Sequence, residues 1–208
     1  MQFLYTFIIS FIFIFFSELG DKTQILVLSL SGKHKAFNIL LGVVLGTLLS
    51  HGLAITFGSQ ISNIGNIYFI TILKFITYIT FLVFGFFGFW KLKKINDTPI
   101  STKTHSTSTI IKFINSLTKN CILIVALTIA IGELGDKTFL ASLGLGIQYP
   151  LYRFSLILGS IFGMVISDSI AIFFGKIISK KVSSNTIDII SNTIFIIFGI
   201  VGIFSVLI

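Results

Sequence analysis

Six long apolar runs fill most of this 208-residue chain, at residues 3–30, 36–61, 68–90, 121–145, 151–178 and 187–207. Each approaches or exceeds the ~20 residues that a helix needs to cross a bilayer. Runs this long and continuous predict helices, because a membrane barrel shows alternating segments of about 10 residues instead. Only 11% of residues are charged and the mean hydropathy is +1.04, whereas a soluble domain carries roughly 25% charged residues. The expected fold class is an all-α integral membrane protein with six transmembrane helices and little chain left for a soluble domain.

The net charge of +8 would point to nucleic acid in a soluble protein. Here it is read as lysines marking cytoplasmic loops, and no nucleic-acid partner is expected. The single cysteine, Cys121, excludes an intramolecular disulfide and a cysteine-based metal site. The first apolar run is expected to be retained rather than cleaved, since no basic residue precedes it and no A-x-A-like site follows.

The chain repeats itself. The six residues ELGDKT occur at 18–23 and again at 133–138. Downstream, LLGVVLGTLLSHGLAITFG at 40–58 matches LILGSIFGMVISDSIAIFFG at 156–175, and FGFFG at 84–88 matches FGIVG at 198–202. These matches predict two three-helix repeats, residues 1–90 and 121–208, joined by a polar Ser-, Thr- and Lys-rich cytoplasmic linker at 91–120. An odd number of crossings per repeat requires the second copy to insert upside down. Loop charge agrees with this. Lys33, Lys35, Lys91, Lys93, Lys94, Lys103, Lys112, Lys119, Lys176, Lys180 and Lys181 fall on one side, and Arg153 stands in a loop of the other. The bias predicts non-cytoplasmic termini and a cytoplasmic central loop. Inverted repeats are a recurrent plan for secondary transporters, with the site near the midplane. The four-residue spacing of Gly42 with Gly46, and of Gly159 with Gly163, predicts close helix packing.

The repeated motif carries the chemistry. It holds four of the seven carboxylates in the chain, Glu18, Asp21, Glu133 and Asp136, and places them about halfway along apolar runs. A charge in hydrocarbon costs about 2.5–3.5 kcal/mol on insertion scales. On a continuous helix, Glu18, Asp21 and Lys22 share one face, as do Glu133, Asp136 and Lys137. Inversion would bring the two faces together, adding the hydroxyls of Thr23 and Thr138. Carboxylate and carbonyl oxygens suit magnesium, calcium and manganese. Four carboxylates and two ammonium groups sum to minus two, which one divalent cation or two protons would neutralise. Like charges held together cannot all stay ionised, so some carboxylates would take up protons when the metal leaves. Lys22 and Lys137 serve either as ion-pair partners or as internal counter-charges of the empty site. A competing reading makes each motif an ion-pair cluster that fixes packing.

His51 and Asp168 occupy matching places in the second and fifth runs. They are read as a proton relay or an outer shell, with Ser50 and Ser167 as nearby hydroxyls. Gln24 and Gln148 have no counterpart across the repeat and stay outside the expected site.

Two E-x-G-D-K-[ST] motifs, in the first and fourth of six runs with a basic central loop, resemble the cation/proton exchanger family whose Golgi, plastid and bacterial members move manganese and calcium. The resemblance covers essentially the whole chain. It implies export of Mn2+, or of Ca2+ in some members, from the cytoplasm in exchange for protons. It also implies that Glu18, Asp21, Glu133 and Asp136 bind the cation. The likeness to short bacterial and plastid members favours manganese. The expected partners are thus a divalent metal ion and protons as substrates, with the bilayer around them and no resident cofactor. Heavy use of Phe, Ile, Lys and Asn suggests an AT-rich genome, which fits a bacterial inner membrane or an organelle (plastid) membrane. Two other functions fit the same residues: an exporter of small organic cations or amino acids, and a non-transporting scaffold subunit. An enzyme is not expected, because the chain offers no nucleophile–base set.

Overall fold

The computed structural model describes residues 1–19, 21–32, 34–64, 66–95, 118, 120–181 and 184–207. The described residues form helices and turns, without a strand among them. Most of the expected linker lies outside them, as do Lys33, Lys103, Lys112 and Lys119 and the side chains of Lys22, Lys93, Lys94, Lys176, Lys180 and Lys181.

The first apolar run forms two helices, α1 (Gln2–Glu18) and α2 (Lys22–Ser31). Then come α3 (Ala36–Ile64) and α4 (Ile67–Ile95), the latter continuing five residues beyond the expected end at Trp90. The fourth run is again divided, into α5 (Cys121–Glu133) and α6 (Lys137–Gln148). A 3-10 turn at Pro150–Tyr152 leads into α7 (Arg153–Lys181), and α8 (Ser184–Leu207) completes the fold. Four stretches are long and apolar enough to cross a membrane: Ala36–Asn63, Ile67–Leu92, Pro150–Phe173 and Asp188–Leu207. Gln2–Glu18 and Cys121–Glu133 are apolar but shorter.

The division of the first and fourth runs corrects the expectation of a continuous helix through each motif. Glu18 and Glu133 are the last residues of α1 and α5. The leucines after them turn the chain out of the helix with nearly the same angles, φ −61° and ψ 119° at Leu19 and φ −59° and ψ 118° at Leu134. Gly135 then takes φ +78°, a left-handed conformation in which a Cβ costs about 1–2 kcal/mol. Asp21 and Asp136 restart the helix as extended N-cap residues. Their backbone N–H groups donate back to Glu18 O at 3.2 Å and Glu133 O at 3.1 Å. Asp136 Oδ1 also accepts from the Lys137 N–H at 2.7 Å, as an N-cap aspartate does. The i, i+3, i+4 face is therefore not formed. Each glutamate ends one helix and each aspartate opens the next.

Long-range packing joins the two halves. α1 packs on α7, α3 packs on α5, α6 and α7, and α4 packs on α8. The glycine pairs permit close approach at two of these contacts. A Cβ on Gly42 would stand 2.6 Å from Val125 Cβ and 2.8 Å from Ile122 O, both on α5. One on Gly163 would stand 2.8 Å from Phe11 O of α1. Small residues at such interfaces let helix backbones approach each other where lipid supplies no hydrophobic drive.

Polarity is distributed inside out relative to a soluble protein. Leu45, Leu49, Leu53 and Phe57 on α3, and Phe69, Ile72, Ile76, Val83 and Phe86 on α4, are exposed. Thr47, Ser50, His51, Glu133, Ser142, Ser160, Ser167 and Asp168 are buried. A surface so apolar calls for hydrocarbon around it, and the interior keeps the groups that hydrocarbon would exclude. The apolar part of the core centres on Phe13, whose ring meets Phe195 at 4.9 Å and Phe198 at 4.7 Å.

Candidate functional site

The helix breaks set the site. α1 and α5 end at Glu18 and Glu133, which are 2% and 0% exposed. Helix C-termini carry partial negative charge and favour cations, so two such ends reinforce the carboxylates they hold. The two glutamates meet in the interior beside His51 of α3, and ligand-capable atoms of all three lie within 4.8 Å of one another. Glu133 belongs also to a second triplet, with Asp21 and Asp136, under the same limit. The two triplets share a residue, so all four motif carboxylates and one imidazole form a continuous cluster. Two ligands on opposite sides of one metal ion, each about 2.0–2.6 Å from it, stand about 4–5 Å apart. Either triplet is compact enough for a single cation.

The supporting residues are placed as follows. Thr138 Oγ1 donates to Glu133 Oε2 at 3.0 Å. Thr23 is buried, with its methyl group toward Gly132 of α5. Lys137 extends to α8, where Nζ is 3.5 Å from Ser191 Oγ and 5.4 Å from the centre of the Phe195 ring. His51 is fully buried and its Nδ1 is 2.7 Å from Ser142 Oγ of α6. Asp168 is buried on α7, within electrostatic reach of Glu133 and Asp21, and belongs to neither triplet. Ser50 donates to Gly46 O along its own helix at 3.0 Å.

A buried polar group normally has a hydrogen-bond partner. Both carboxylate oxygens of Glu18 and Nε2 of His51 have none among the described residues. Carboxylates concentrated in a buried interior, with the acceptor atoms of Glu18 left unused, can hold a cation or protons.

A family model described as the divalent cation/proton antiporter GDT1 matches residues 6–96 and 121–207. The chain belongs to the GDT1 family. The apolar helices and the membership together make it an integral membrane protein. A GDT1-like protein of Schizosaccharomyces pombe (strain 972 / ATCC 24843) is 42% identical over 57 residues, which are 27% of this chain and 22% of that relative's own length. No solved structure matches the chain.

One residue of this GDT1 family member escaped the sequence reading, and Gln24, set outside the expected site, has a packing role. Ser142 holds the imidazole of His51. Its signal was available, because it follows Thr138 by four residues and so shares a helix face with it. Gln24 donates through Nε2 to both Ser167 O and Ser167 Oγ at 3.0 Å, fastening α2 to α7. With no counterpart in the second repeat, it carried no pattern to read.

Proposed function

We propose that this chain is a secondary transporter that exchanges a divalent cation for protons, with Mn2+ favoured over Ca2+ and export from the cytoplasm as the direction. The observation that carries the reading is the buried meeting of Glu18 and Glu133, one from each motif, inside a cluster that also holds Asp21 and Asp136. In this reading the four carboxylates bind the cation when deprotonated, and protons displace it on the other side. Thr138 steadies Glu133 through its hydrogen bond. Asp168 relays protons. Lys137 is a nearby counter-charge rather than a ligand, held toward α8 by Ser191 and Phe195. His51, read from the sequence as a proton relay or an outer-shell group, stands directly against both glutamates.

The proposed architecture is six spans in two inverted repeats, 1–90 and 121–208, about the linker 91–120. Its support is reciprocal packing, in which the first half of each divided run packs on the middle helix of the other repeat, α1 on α7 and α5 on α3. Transporters of this plan place their sites at divided helices near the midplane and rock the repeats about them.

The test is flux in proteoliposomes. An inward Mn2+ gradient should drive protons out of the lumen, and an imposed pH gradient should drive Mn2+ against its own gradient. Mn2+ uptake that ignores the pH gradient, or label displaced by amino acids and not by Mn2+, overturns the reading.

A further inference from the structure

The site is lopsided, and the difference lies in one nitrogen. Matching positions of α3 and α7 hold His51 and Asp168. The imidazole enters a triplet with Glu18 and Glu133, whereas Asp168 enters none. His51 is 0% exposed, its Nδ1 is engaged by Ser142 Oγ at 2.7 Å, and its Nε2 has no hydrogen-bond partner among the described residues.

We propose that His51 is a direct ligand of the transported cation and the residue that makes the site prefer a first-row transition-metal dication such as Mn2+ over Ca2+. The inference rests on the antiporter reading and deepens it. A metal-bound histidine usually has its second ring nitrogen held by a hydrogen bond, which sets the tautomer and aims the ring. Ser142 supplies that bond at Nδ1, and Nε2 is the atom left for the metal. Ca2+ takes six to eight oxygen ligands and gains little from an imidazole, whereas the first-row dications accept one, Mn2+ the most weakly of them. Four carboxylates alone would accept either ion. Adding one buried nitrogen favours the transition metal.

Two measurements on the whole chain test the proposal. The first is pulsed EPR of the purified chain loaded with Mn2+. Direct ligation predicts nitrogen coupling of a bound imidazole, which shifts on 15N-histidine labelling. The chain has three histidines, and His51→Gln should abolish the signal while His34→Gln and His105→Gln should not. A wild-type spectrum of bound Mn2+ without nitrogen coupling overturns the proposal.

The second is proton exchange against Mn2+ and Ca2+ in parallel. His51→Gln replaces the nitrogen by an amide oxygen. It should lower apparent Mn2+ affinity by about tenfold to a hundredfold, the range that loss of an outer partner already costs a metal site, and Ca2+ affinity by less, with thermal unfolding in detergent reporting the fold. Ser142→Ala should shift selectivity the same way by a smaller factor. An unchanged Mn2+/Ca2+ ratio in both variants overturns the proposal. Should His51→Gln lose both ions, the wild-type spectrum and Ser142→Ala decide. Failure of the antiporter reading looks different, since the wild-type chain would then exchange neither ion for protons while the EPR result still stands for or against ligation.

Discussion

Glu18 and Glu133 each end a helix, and their carboxylates meet in the buried interior within 4.8 Å, beside His51. The chain leaves the helical path at Leu19 and at Leu134 with matching angles, so two helix C-termini and two acids converge on one volume.

Glu18→Gln and Glu133→Gln each remove one charge from the shared cluster and keep the side-chain size. Each should reduce Mn2+-driven proton flux in proteoliposomes by about a hundredfold, the upper end of what perturbing a metal site costs. Flux within threefold of wild type in either variant would remove that glutamate from the site.

In the proposed exchange protons and cation compete for the same carboxylates, which fixes the sign of the pH dependence. As pH falls, protonated carboxylates release the metal, so the apparent Mn2+ affinity should fall. As pH rises, it should rise by about tenfold per pH unit for each proton released on binding. Titration of Mn2+ binding between pH 6 and 8 reads the slope directly, and a flat profile contradicts exchange.

Thr138 donates its hydroxyl to Glu133 at 3.0 Å. Thr138→Val keeps the shape and loses the bond. A hydrogen bond to a charged group contributes about 1.5–3 kcal/mol, so Mn2+ affinity should weaken by roughly tenfold. Thr138→Ser should restore it. Equal affinity in the valine and serine variants would show that the bond is idle.

Gly42 faces α5 with no room for a methyl group, since an added Cβ would stand 2.6 Å from Val125 Cβ and 2.8 Å from a backbone carbonyl. Gly42→Ala should destabilise the protein by about 1–3 kcal/mol, the usual cost of overpacking. Gly32 has nothing within 4 Å of its added Cβ and a right-handed φ of −74°, so Gly32→Ala should be neutral. Thermal unfolding in detergent compares the two, and equal midpoints would show that the α3–α5 contact is not tight.

The helical class, the membrane environment and the repeated motif were all legible in the one-dimensional pattern, because hydropathy and repetition are properties of neighbours along the chain. The same pattern identified which acids lie in apolar surroundings. It misled at the motif itself. A periodicity argument extends a helix through ELGDKT, whereas Gly135 at φ +78° and the N-cap bond of Asp136 make a break.

Tertiary packing alone decided which side chains share the interior with the glutamates. His51 and Asp168 look equivalent in sequence, yet only the imidazole joins a triplet. Lys137 stands beside the acids in the motif, yet it extends to Ser191 and Phe195. These outcomes depend on α3 lying against α5 and α6 and on how near α8 stands to the start of α6. Such contacts arise between segments far apart in the chain, where steric fit between helix surfaces rather than local residue order sets the partner.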